Sequence, residues 1–119
     1  MIKGIGMDIV EIERMNDLLL RNERIKERVL TESEKKVLET LPFKRKVEFI
    51  AGRFAAKEAF SKAYGTGIGK DLSFQDIEVT TDERGKPYIV KPFREGVHLS
   101  ITHSKHYALA QVIIESVEK

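Results

Sequence analysis

One stretch restricts the architecture of this chain more than any other: Phe49 to Gly67, where small and charged residues recur at helical spacing. At about 100° per residue, Arg53, Lys57, Ser61, Phe54, Glu58 and Lys62 fall in that order across one side of a helix. Gly52, Ala55, Ala56, Ala59 and Ala63 take the other side. Side chains that small let a helix backbone lie close against its neighbour, so the charged arc is expected on a rigid support. Three cations around one carboxylate suit a polyanion together with a divalent metal.

The rest of the chain has to supply what that helix leans on. Ile2 to Asp8 reads as a short strand whose Gly4 and Gly6 admit a close backbone or a ligand, and it ends at an acid. From about Ile9 to Arg28 the pattern turns helical, with a break expected at Asn22 or Glu23. Thr31-Glu-Ser-Glu34 is a capping-box pattern opening another short helix. Pro42 marks the next start, and the long helix is expected from about Lys44 to Tyr64 with Gly65 as its C-cap. Beyond the glycines at 65, 67 and 69, Ile77–Thr81 and Pro87–Val90 flank a turn-rich segment, as in a hairpin. Val97–Thr102 and Tyr107–Glu115 make a second strand pair. Helices followed by antiparallel strands predict an α+β fold in one domain spanning 1–119.

Composition narrows the function classes. The 21 basic residues are nearly matched by 19 acidic ones, so the net charge of +2 argues against nonspecific nucleic-acid binding. An aromatic content of 8% gives equally little support to a binder of single strands. With no cysteine, disulfides, thiolate catalysis and zinc–thiolate sites are excluded. No run approaches the ~20 apolar residues of a membrane span, and the start lacks a charged segment leading into a long apolar one. The chain is therefore read as soluble and cytoplasmic, without membrane or nucleic-acid partners.

Each candidate site has a structural reading beside the chemical one. Asp8, at the expected strand end, serves either as a helix N-cap supported by Glu11 or as a ligand. Glu58 and Lys62 have the spacing of an ordinary helix ion pair, but Arg53 and Lys57 add more positive charge than such a pair needs. Gly65-Thr-Gly-Ile-Gly-Lys70 follows a helix instead of preceding one, so it reads as a capped turn and not a phosphate loop. His103 shares a strand face with Val97, Leu99 and Ile101, where a core role competes with a ligand role. Arg14, Leu18, Arg21, Ile25 and Arg28, with Arg24 beside them, would form one stripe if their helix is continuous. Such a stripe is either a solvated face or a dock for an acidic amphipathic helix, with charge steering and apolar anchors holding.

Gly4-Ile-Gly-Met-Asp8, Arg53-Phe-Ala-Ala-Lys-Glu-Ala-Phe-Ser-Lys62, Gly65-Thr-Gly67, Gly85-Lys-Pro87 and Ser100-Ile-Thr-His-Ser104 resemble, in order and spacing, the small single-domain 4′-phosphopantetheinyl transferases that act on acyl carrier proteins. The resemblance implies a homotrimer of α+β subunits, a small antiparallel sheet around a long central helix, with active sites between neighbours. It implies coenzyme A as donor, apo-acyl-carrier protein as acceptor, magnesium as cofactor and a place in fatty acid biosynthesis. By the same resemblance Asp8 and Glu58 are metal ligands, Lys62 contacts the pyrophosphate and Arg14 docks the carrier, with Leu18, Arg21, Arg24, Ile25 and Arg28 as further docking candidates. Arg53, Lys57, Ser61 and Gly65 are expected around the coenzyme A phosphates, where His103 either contacts the 3′-phosphate or orders a water. The serine proton has three candidate acceptors: Glu58, Asp8 or a metal-bound water. If Asp8 and Glu58 come from different subunits, the metal site forms only on assembly. The competing reading is a non-catalytic module that holds an acidic helical protein on its arginine face.

Overall fold

The computed structural model describes residues 1–117. Strand β1 (Ile2–Glu11) leads into helices α1 (Ile12–Arg21), α2 (Arg24–Val29), α3 (Glu32–Glu39) and α4 (Phe43–Tyr64). A 3-10 turn at Phe74–Asp76 precedes β2 (Glu78–Thr81), β3 (Pro87–Lys91), β4 (Val97–His103) and β5 (Tyr107–Glu115). Strands β1, β5 and β4 form one antiparallel sheet in that order, and β2–β3 form a separate hairpin. The α+β expectation therefore holds.

Helix α4 is the axis of the molecule because its small side was built for contact. A Cβ on Gly4 would lie 1.9 Å from the carbonyl oxygen of Ala63, and one on Gly6 would lie 1.9 Å from that of Ala59. Two glycines on β1 thus meet two alanines on α4, and neither pair leaves room for a methyl group. Gly65 closes the helix in the left-handed region at φ 107°, its N–H donating to Ser61 O at 3.0 Å. One apolar cluster gathers Phe60, Ile77, Val79, Ile89 and Val112 on one side of α4. A second gathers Met15, Leu30, Leu38, Ile50 and Ala108 near its start.

Two expectations about the first third need correction. β1 continues through Asp8 to Glu11, because Ile9, Val10 and Glu11 pair with Leu109, Ala108 and Tyr107 of the long strand β5. Asp8 is thus in mid-strand, facing Ala110, and is not an N-cap. The helical region starts at Ile12 and does break at Asn22–Glu23, where the Asn22 side chain accepts from the Arg24 N–H at 3.0 Å. A continuous arginine stripe therefore does not exist. Arg14, Leu18 and Arg21 lie on α1, whereas Arg24, Ile25 and Arg28 lie on α2.

Candidate active site

On β1 the period of two sends Gly4, Gly6, Asp8 and Val10 toward α4 and leaves Ile5, Met7 and Ile9 on the outer face. Asp8 thereby meets the last turns of α4. Lys62 Nζ lies 3.2 Å from Asp8 Oδ1 and donates to Met7 O at 2.9 Å. Glu58, one turn earlier, is half-buried, and its carboxyl is pushed above the usual carboxylate range. Desolvation is the main cause and the Asp8 charge the second, with Lys62 acting in the opposite direction. Asp8, Glu58 and Lys62 therefore converge within one chain, so the two carboxylates do not wait for a neighbour to bring them together. The expected Glu58–Lys62 ion pair is replaced by the Lys62–Asp8 contact.

The middle of the charged arc turns inward. Lys57 is fully buried, with its ammonium 2.6 Å from Glu34 Oε1, 2.6 Å from Val29 O and 3.1 Å from Phe74 O. It cannot hold phosphates, since its three donors are spent inside the protein. Ser61 is likewise buried and donates to Glu58 O at 2.7 Å, so its side chain is also unavailable to a cofactor. Gly65 is exposed and serves as the helix cap. Ile25 belongs to the second apolar cluster and is a core residue more than a partner anchor.

Arg53 emerges at the far end of the arc. Its guanidinium stacks 4.2 Å above the Phe49 ring, and its Nε is buried without a hydrogen-bond partner. Burial lowers its pKa, meaning its charge is under-solvated, and Glu34 offsets this in part. A cation of that kind favours an incoming anion. Arg53 lines a cavity of about 440 Å³, within the size range of small-molecule sites. Its polar members include Arg45, Glu48 and His103; Phe49, Pro87 and Ile101 supply apolar wall, and Gly85 also lines it. Arg45 escaped the sequence reading because it precedes the patterned stretch. Only the fold brings it beside the hairpin, although Gly85-Lys-Pro87 was part of the signal.

The two ends of the arc lie on opposite flanks of α4. Asp8 pairs across the sheet with Ala110, which pairs in turn with Ile101 in the cavity wall. Two strand spacings separate them, ~10 Å. Beside Asp8 there is a further cavity of about 300 Å³ between Ile9, Met15, Leu18, Phe54 and Tyr107, with Arg14 at its rim. Arg14, Arg21, Arg24 and Arg28 are exposed, and Leu18 is 37% exposed. Among the described residues no group of three or more His, Cys, Asp or Glu is placed to hold a metal. No described helix is long and apolar enough to cross a membrane.

The α+β scaffold thus carries a carboxylate pair beside a lysine and, apart from it, a cavity lined by Arg45, Arg53 and His103. The family model described as the 4′-phosphopantetheinyl transferase superfamily matches residues 4–114, and the chain belongs to that family. It is a phosphopantetheinyl transferase, similar over nearly its whole length to holo-[acyl-carrier-protein] synthases. The synthase of Bacillus pumilus is 60% identical over 117 residues, covering 97% of each chain. That of Bacillus subtilis is 59% identical with the same coverage. The crystal structure of the Bacillus anthracis synthase in complex with CoA (3′,5′-ADP) has a TM-score of 0.92 at 55% identity, covering 98% of this chain and 99% of that one. The Helicobacter pylori synthase in complex with coenzyme A has a TM-score of 0.81 at 36% identity, covering 93% and 99%.

Proposed function

We propose that this chain moves the 4′-phosphopantetheine arm of coenzyme A onto a serine hydroxyl of apo-acyl-carrier protein, with magnesium, at sites completed by a neighbouring copy in a homotrimer. The observation that carries the reading is the convergence of Asp8, Glu58 and Lys62 in a chain this similar to a synthase described with CoA (3′,5′-ADP). The donor set fits the metal. Magnesium takes one or two carboxylates and fills its octahedron with phosphate oxygens and waters, so a pair of acids suits it where an all-protein cage would not. Asp8 and Glu58 would hold it, and its contribution is to neutralise charge on the diphosphate.

The serine oxygen forms a bond to the phosphorus that carries pantetheine. The bond from that phosphorus to the bridging oxygen breaks, and adenosine 3′,5′-bisphosphate leaves with the bridging oxygen. Lys62 shifts its ammonium from Asp8 onto a diphosphate oxygen as charge builds there. Glu58 accepts the serine proton at a carboxylate oxygen. Arg53, Arg45 and His103 take the phosphates of the departing nucleotide in the cationic cavity.

The opposed flanks support assembly. The Asp8 half-site faces one side of α4 and the Arg53 half-site the other, so one subunit's acid pair and its neighbour's cavity can frame a single coenzyme A. The outer face of β1 supplies the adhesive surface: Ile5, Met7 and Ile9 are 56%, 55% and 58% exposed. Side-by-side apolar residues on an unpaired edge strand are what a subunit interface covers. The exposed Arg14 and Leu18 beside the Asp8 half-site suit an acidic carrier with an apolar anchor. Small polar substrates and a cysteine-free chain agree with the cytoplasm, where the product would serve fatty acid biosynthesis.

Intact-mass measurement of an apo carrier incubated with this protein, coenzyme A and magnesium is the direct test. A phosphopantetheine-sized gain, lost when the acceptor serine is replaced by alanine, is expected. An unchanged carrier mass would refute the reading.

A further inference from the structure

Helix α2 has six residues and no side-chain N-cap, which is too short to be stable by itself. Its orphan carbonyls are where the structure holds it. A helix leaves its last four carbonyls without intrahelical donors; here the C-cap takes one and other elements take the other three. Leu30 N–H donates to Lys26 O at 3.0 Å. The side-chain amide of Gln75, in the 3-10 turn, donates to Glu27 O at 2.7 Å and Leu30 O at 2.6 Å, with Arg28 O at 3.3 Å. The buried Lys57 ammonium takes Val29 O.

The second clasp is itself fixed on every side. Glu34 Oε1 receives Lys57 and the Thr31 N–H, while Oε2 receives the Val79 N–H at 2.8 Å. Lys57 is adjacent to Glu58 on α4, so the end of α2 is referenced to the same helical turn that carries the reacting carboxylate. The apolar Val29 and Leu30 set how deeply α2 sits. Non-directional burial does not fix rotation about the helix axis, whereas directed hydrogen bonds to its carbonyls do. Rotation is what aims Arg24 and Arg28, both exposed, at a partner.

We propose that Gln75 and Lys57 are positioning residues for carrier recognition: by clasping the terminal carbonyls of α2 they set the direction of Arg24 and Arg28 relative to Glu58. This rests on Arg24 and Arg28 of α2 being among the residues that dock the carrier, as the resemblance implies. Neither side chain touches substrate, and both act through the helix they hold.

Gln75 is exposed, so Gln75→Ala leaves the core intact. Its expected signature is a carrier KM raised about fivefold or more, with kcat and the coenzyme A KM within about twofold of the parent. The pair Lys57→Met with Glu34→Gln removes both buried charges together, which avoids leaving one unpaired. It should raise the carrier KM in the same way while its backbone amides in 24–30 exchange faster and those of α4 stay protected. An unchanged carrier KM in both variants, or an equal rise in both substrates' KM for Gln75→Ala, overturns the proposal. Arg24→Glu with Arg28→Glu separates the two levels. If that variant also keeps the parental carrier KM, the docking role of α2 is wrong. Hydrogen exchange then decides the clasp alone: faster exchange at 24–30 in Gln75→Ala upholds it, and unchanged exchange removes it.

Discussion

Glu58 illustrates how the environment of a side chain proposed for the chemistry costs stability. Burial and the neighbouring Asp8 raise its pKa, and Lys62 recovers only part of that. An acid whose folded pKa lies above its unfolded value binds more protons folded than unfolded, so stability falls as pH rises from the unfolded pKa through the folded one. Glu58→Gln removes the titration and keeps the shape. In metal-free buffer, the melting temperature of the parent should decline across that window, and the variant's should decline less. The variant should also lose transfer, since glutamine neither accepts the serine proton nor supplies a charged ligand, with a fall in kcat of at least about 10²-fold. Parallel melting profiles for the two proteins would show that the carboxyl is not strained in the way described, and retained turnover would remove it from the reaction. Lys57 shows the opposite arrangement. Its burial lowers its pKa, but Glu34 and two carbonyls surround the ammonium, and its charge is used for architecture.

At the level of elements, the seam between β1 and α4 decides where Asp8 meets Glu58. A methyl group on Gly6 would meet Ala59 O at 1.9 Å and Ala63 N at 2.7 Å, both backbone atoms that cannot swing aside. Gly6→Ala should therefore cost at least the upper part of the roughly 1–3 kcal/mol typical of overpacking, read as a lower urea midpoint with an unchanged slope. Surviving folded protein should transfer slowly, because displacing β1 moves Asp8 away from Glu58; a parental midpoint would show that the seam is loose. The meeting at that seam joins residues more than fifty positions apart and was not legible in the sequence, but both its halves were, because the glycine pair and the alanine-lined helix side are local patterns of period two and 3.6. So were the capping box at Thr31, the hairpins and the Gly65 cap, each written in a few adjacent residues. The end of β1 was not, since Ile9 to Glu11 become strand only by pairing with residues about a hundred positions later. Nor was the fate of Lys57. Helical spacing placed it between Arg53 and Glu58 correctly, but which part of an arc is covered depends on α2, α3 and the 3-10 turn folding over it. The Glu34 recognised as a capping residue turned out to be its counter-ion as well.

For the whole molecule, the division of the charged arc means that the proposed reaction would need two copies of the chain at each site. Arg53 and His103 open on the β4 side of α4, while Asp8, Glu58 and Lys62 open on the β1 side. A ring of like copies brings one side of each subunit against the other side of the next, which is a head-to-tail contact that closes on rotation. Covering Ile5, Met7 and Ile9 supplies apolar burial for that contact, so Met7→Glu should yield monomers by sedimentation and abolish transfer together. Mixed assemblies test the sharing itself. Glu58→Gln spoils one half-site, and Arg53→Ala with His103→Ala spoils the other, so each variant alone should be inactive. Unfolded and refolded together in equal amounts, they should regain about a quarter of the parental activity, because a site is intact when one subunit supplies a sound acid pair and its neighbour a sound cavity, each with even odds. If every site were built within one chain, each mixed assembly would contain only damaged sites and recovery would be absent. The same mixture prepared without refolding should gain activity only as fast as subunits exchange, which ties the rescue to reassembly and not to a contaminating enzyme.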